Sequence, residues 1–247
     1  MFSREGSARS DGQNRRVAGY LACVGGFVNS SGFVLIGTFT SHVTGNVGRL
    51  ANDAATGQFA AAIAAFSLVL CFFAGAFCAS LIIENRVFGG AASRAYAGAL
   101  GAETVLLLVF TGLSYLTVGV HARVQDAEAA LLCAAMGMQN ALVTRLSGAI
   151  VRTTHLTGVV TDLGIECARW FRFWQRSLFQ ARHLLPLAGS TGAEQPALAT
   201  VLLLSTIACG FLLGATLGAF LTVRYGHGSM LGAAVAVGAC AVYAWFN

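Results

Sequence analysis

Long apolar runs, separated by polar or Arg-bearing segments, set the pattern of this chain; they cover 17–39, 58–83, 95–118, 128–150, 197–221 and 226–246. Each has the roughly 20 residues needed to cross a hydrocarbon core about 30 Å thick. In lipid a spanning segment must satisfy its own backbone groups, which leaves helices or closed barrels. No run shows the alternation of a barrel strand. The pattern therefore predicts an all-α, polytopic membrane protein with six transmembrane helices and the lipid bilayer as its first partner. From Val17 to Gly48 the chain is uncharged, longer than a signal-peptide core of about 7–15 residues. A retained first helix is expected after a disordered tail at 1–16.

Polar residues interrupt this pattern twice in the same words. "FTSHVTGNVGRL" (39–50) follows the first run and "RTTHLTGVVTDL" (152–163) follows the fourth. Aligned on Thr40 and Thr153, they share His42/His155, Thr44/Thr157, Gly45/Gly158, Val47/Val160 and Leu50/Leu163. Upstream, Asn29 in "FVNSSG" faces Asn140 in "MQNALV". Two homologous halves are expected, 17–118 and 128–246, each of three helices. An odd number of spans per half gives the halves opposite orientations, and inverted repeats of this kind recur in transporters.

Two readings of the repeated HxTG phrase stay open. In one, Thr44 and Thr157 cap helix starts at the two membrane surfaces, and Gly45 and Gly158 permit an unusual backbone angle or a close approach. In the other, each segment dips inward and aims a helix N-terminus at a polar or anionic solute. That second reading makes His42, Thr44, Gly45, Asn46, His155, Thr157 and Gly158 the binding set, with Asn29, Gln139 and Asn140 lining the route. The two histidines can titrate near neutral pH or serve as interfacial hydrogen-bonding groups. Seven residues beyond each stand opposite charges, Arg49 and Asp162, expected to pair where the halves cross. Inside the third and fourth spans lie Glu103 and Arg145; ionisable groups there are costly and mark paired or functional sites. Arg145 is expected to bridge to Glu103 or to a cavity. Gly210, Gly214 and Gly218 form a close-packing face, echoed by Gly75 and Ala79, within the chain or in a homodimer.

Composition strengthens the membrane reading. Hydrophobic residues make up 56% and charged residues 10% of the 247 positions, against about 25% charged in soluble domains. The net charge of +5 comes from 15 basic residues, all Arg. Most fall in the N-terminal tail and the 84–94 and 151–196 segments, whereas the opposite side has only Arg49, Arg123 and Arg224. That bias places both termini in the cytoplasm of a bacterial inner membrane. No basic domain stands apart from the spans, so no nucleic-acid partner is expected. Seven cysteines without a CxxC read as free packing thiols, and no cofactor or metal is expected. His155, Asp162 and Glu166 share metal-like spacing but lack a matching motif, and no enzyme signature is present. The stretch 166–185 interleaves Arg with Trp, Phe and Leu, as a helix in the headgroup layer or a partner-docking helix does. A linker at 186–196 follows.

"GFVNSSGFVLIGTFTSHVTGNVGRLA" (26–51) and "GMQNALVTRLSGAIVRTTHLTGVVTDLG" (137–164) resemble the YoaK-like family of uncharacterised bacterial inner-membrane proteins. The similarity runs from about residue 17 onward and departs at Ser30-Ser31, where an acidic residue followed by Ala is expected. The resemblance implies a six-span membrane protein without an assigned substrate. Taken with the repeat, the expected function is a transporter or channel for a small polar or anionic solute. The competing expectation is a membrane scaffold that uses the 166–185 helix.

Overall fold

The computed structural model describes residues 10–88, 91–116, 123–146, 156–182 and 197–246. Among them are eight α-helices and no strand: α1 (Asp11–Ile36), α2 (Val43–Ala55), α3 (Phe59–Glu84), α4 (Ala92–Leu116), α5 (Arg123–Leu146), α6 (Leu156–Arg182), α7 (Leu198–Tyr225) and α8 (Met230–Phe246). The class is all-α, as the apolar runs require. Five helical stretches are long and apolar enough to cross a membrane. The last two expected spans fall in one of them, Leu198–Phe246, interrupted only by the one-turn 3-10 segment Gly226–Ser229.

Three boundaries differ from expectation for local reasons. Helix α1 begins at Asp11, so the expected disordered tail does not reach residue 16. Ser10 caps α1, its hydroxyl accepting the Gln13 N–H while the Gln13 side chain accepts the Ser10 N–H. At the other end Gly37 takes φ 69° and closes α1 by donating to the Phe33 carbonyl, a left-handed angle that glycine adopts without steric cost. The 166–182 stretch is not a separate interfacial helix; it is the second half of α6, which runs unbroken from Leu156. The expected 186–196 linker lies outside the described residues.

Glycine fixes how the long helices pair. Gly210, Gly214 and Gly218 of α7 face the backbone of Gly19, Cys23 and Phe27 of α1, and a Cβ on any of them would overlap it. Both numbers rise together, so α1 and α7 run parallel. Small residues allow this approach, and dispersion between backbones then replaces side-chain interdigitation. The face offered to a homodimer in the sequence is thus filled by α1 of the same chain. Helices α3 and α5 repeat the arrangement in parallel, with Gly75 against Ala134 and Gly137 against Phe72 and Ala76. Antiparallel contacts tie these pairs together. Gly32 of α1 faces Leu132 of α5, while Gln139 of α5 donates to the Leu21 carbonyl at 2.7 Å. Gly238 of α8 faces Thr104 of α4, and Gly228 faces Tyr115. Ser114 of α4 donates to Glu128 of α5 at 2.6 Å.

Candidate functional site

Beyond Gly37 the chain turns back along α1 instead of continuing outward. Asn29 secures the turn: its side-chain carbonyl accepts the Ser41 N–H at 3.1 Å and the Ser41 hydroxyl at 3.0 Å. Helix α2 then starts at Val43, with His42 as the N-cap residue and no side-chain cap. Thr44, expected to cap, lies inside the first turn, where its side chain faces a cavity and not the helix end. Gly45 has a specific role here. A Cβ on Gly45 would occupy the space of the His42 imidazole, so the glycine lets that ring fold over the first turn.

The cavity has a volume of about 610 Å³ and brings the two repeated phrases together. Asn29, Phe39, Ser41, His42, Val43 and Thr44 line one part of it; Asn140, Thr144, Leu156 and Thr157 line another. Phe72, near the middle of α3, and Phe211, near the middle of α7, complete the wall. The first turns of α2 and α6 therefore reach one space between the centres of the long helices. A helix N-terminus carries unsatisfied N–H groups and about half a positive charge. Two of them meeting beside amide and hydroxyl side chains favour a solute that accepts hydrogen bonds.

Other predicted residues separate into groups. Gly158 is in the first turn of α6, and His155 lies outside the described residues. Asn46 is buried in α2 but is not part of the cavity wall. Gln139 points away from the cavity toward α1, while its neighbour Asn140 lines it. The expected Arg49–Asp162 pair does not form: Arg49 reaches Asp53, one turn on, at 3.4 Å, and Asp162 is exposed on α6. A side chain four residues away on the same face outcompetes one on another helix. Arg145 likewise does not bridge to Glu103 or enter the cavity; it pairs with Glu84 and donates to the Ser80 hydroxyl at 3.3 Å, both on α3. The parallel packing of α3 and α5 carries Arg145 to the end of α3.

The sequence reading missed Phe39, Ser41, Phe72 and Phe211 as wall residues. A signal for the two central phenylalanines was present: Phe72 and Phe211 each open the same F-x-x-G-A phrase, at 72–76 and 211–215. A second, apolar hollow of about 480 Å³ lies between Trp170, Phe171 and Trp174 of α6 and Leu198 and Val201 of α7. Among the described residues no cluster of three or more His, Cys, Asp or Glu side chains is placed to hold a metal ion.

The model of a family described as a protein of unknown function, DUF1275, matches residues 17–243. No curated protein and no solved structure matches the chain.

Proposed function

Because the chain belongs to the DUF1275 family of unknown function, we propose from its geometry that it is a membrane transporter or channel for a small polar or anionic solute. The observation that carries this reading is the convergence of both HxTG segments on one cavity.

The helix directions support six crossings. Helix α1 is parallel to α7 and antiparallel to α5, α5 is antiparallel to α4, and α4 is antiparallel to α8. Helices α7 and α8 then run in opposite directions, and Leu198–Phe246 crosses twice. Its 49 residues would measure about 74 Å as one helix, more than twice the hydrocarbon core. The Arg bias puts both termini on the cytoplasmic side of a bacterial inner membrane, in keeping with the YoaK-like resemblance.

Inverted repeats account for the pairing. Exchanging the halves turns the α1–α7 contact into the α5–α3 contact, residue for residue: Gly26 against Phe211 and Ala215 becomes Gly137 against Phe72 and Ala76. The same exchange relates Asn29 to Asn140, Val43 to Leu156, Thr44 to Thr157 and Phe72 to Phe211, and all eight line the cavity. A site on the axis between inverted repeats, reached by the N-termini of α2 and α6, is the arrangement through which alternating access operates.

Binding is tested by thermal shift of the purified protein against a library of inorganic and organic anions, neutral polar solutes and cations. An anion or polar solute should raise the unfolding temperature of the wild type but not of Thr44→Val/Thr157→Val. Uptake of that solute into proteoliposomes should be lost in the same variant. A ligand that stabilises both proteins equally, or the absence of uptake, would sink the proposal.

A further inference from the structure

At the middle of α4 the side chain of Glu103 is fully buried, and neither carboxyl oxygen has a hydrogen-bond partner among the described residues. Glu103 shares one buried stripe of α4 with Leu100, Leu107, Phe110 and Ser114, the i, i+3, i+4 spacing that turns a helix face to its neighbour. The Ser114–Glu128 hydrogen bond fixes how that face meets α5. Glu103 lies as many residues before Ser114 as Gln139 lies after Glu128. Both helices rise equally per residue, so Glu103 and Gln139 stand at one level. Gln139 is also fully buried; its NH₂ donates to the Leu21 carbonyl of α1, and its own carbonyl oxygen has no partner among the described residues. Three acceptor oxygens thus sit at one depth of an apolar interior, with no donor to them among the described residues.

An ionised carboxylate there would be an uncompensated charge in a low dielectric, which is prohibitive. A bound proton removes the charge and supplies the missing donor. Among the described residues no cation pairs with Glu103. Arg145 on α5 is taken by Glu84 of α3. From α8 the titratable group facing Glu103 is Cys240, with Tyr20 and Cys23 of α1 behind it. Glu128 lies at the Ser114 end of the seam, and His227 of the 3-10 turn sits near Tyr115, the same far end of α4. Under the exchange of halves proposed above, Gln139 corresponds to Val28, which is buried and apolar. The repeated fold therefore does not require a polar group at that position.

We propose that Glu103 is a proton-binding site, its proton directed toward the Gln139 carbonyl and exchanged with water when the bundle opens. Asn140, next to Gln139, lines the solute cavity, so the proton site adjoins the solute site through two consecutive residues of α5. The proton site stands by itself; its coupling to solute movement rests on the transport reading.

The test treats the full-length protein, reconstituted in liposomes without solute, with N,N′-dicyclohexylcarbodiimide over a range of pH. The protonated carboxyl adds its O–H across the carbodiimide C=N bond and rearranges to an N-acylurea, a one-to-one adduct with no leaving group. Peptide mass spectrometry should place the adduct on Glu103, with yield falling about tenfold for each pH unit beyond its midpoint. Glu103→Gln should lack it. Labelling confined to other carboxyls, or Glu103 labelling that does not change with pH, overturns the proposal. Suppression by sodium at constant pH overturns it in favour of a metal-cation site. None of these outcomes depends on a solute, so the proton site and the cavity reading fail separately.

Discussion

Asn29 holds Ser41 by two hydrogen bonds to a single side-chain oxygen, at 3.1 Å from the backbone N–H and 3.0 Å from the hydroxyl. This clasp folds the chain back along α1 and sets the depth at which α2 begins. Asn29→Ala leaves both donors without their acceptor, in a place where Asn29 itself is buried. An unmade buried hydrogen bond costs about 1–3 kcal/mol, so the unfolding temperature should fall by roughly 2–10 °C for a chain of this length. Asn29→Asp keeps the acceptor and should retain most of that stability. Equal melting temperatures for Asn29→Ala and the wild type would dissociate the clasp from stability.

Gly214 and Gly232 predict opposite outcomes for the same type of change. A Cβ at Gly214 meets the Cys23 carbonyl, whereas at Gly232 it meets nothing within 4 Å. Gly214→Ala should destabilise by about 1–3 kcal/mol through overpacking. Gly232→Ala should be neutral or slightly stabilising, since a helical alanine is favoured over glycine by up to about 1 kcal/mol. Thermal unfolding in one detergent measures both, and a neutral Gly214→Ala would mean that α1 and α7 do not touch.

Arg145 joins α5 to α3 at a partly exposed position, with 36% of its side chain and 57% of that of Glu84 accessible. Exposed pairs contribute about 0–1 kcal/mol. Arg145→Gln should therefore lower stability by less than about 1 kcal/mol and leave solute binding at the cavity within about twofold. A tenfold loss of binding would place Arg145 in the solute route and not at the helix end.

The proposed six-crossing topology makes a side-specific prediction. Thr56, Asn85 and Tyr225 are exposed at helix ends. On a cysteine-free background, Thr56→Cys and Tyr225→Cys should react with an impermeant maleimide added outside intact cells. Asn85→Cys should react only after the membrane is opened. Labelling of Asn85→Cys and Tyr225→Cys from the same side would remove the hairpin at Gly226.

The apolar runs were legible because a helix in lipid needs little beyond length and hydrophobicity to declare itself. The repeat was legible too, since His42-Val43-Thr44-Gly45 and His155-Leu156-Thr157-Gly158 keep both identity and place. What the sequence concealed was direction. Nothing in "SHVTG" says whether it caps a helix at a surface or returns inward, because the Asn29–Ser41 contact that decides this joins residues twelve apart. Arg49 and Arg145 misled for a related reason. Charge sign and span position suggest partners, but a carboxylate one turn away or on a parallel neighbour reaches first. Phe72 and Phe211 stand within unbroken apolar runs, and only the shared F-x-x-G-A phrase separates them from the other phenylalanines.

The parallel seam between α1 and α7 also bears on how the chain is made. Helix α1 packs on one that begins only at Leu198, so its glycine-lined groove waits while the intervening helices are synthesised. Contacts between such distant segments form late and slowly, and an unfinished chain exposes apolar and polar surfaces meant for a partner. Ser31, whose hydroxyl accepts from Thr222 at 2.8 Å, has to enter the bilayer before that donor exists. Biogenesis of this protein therefore favours an insertion pathway that shelters α1 until translation reaches α7, and a chain stopped after α6 should be cleared by membrane quality control.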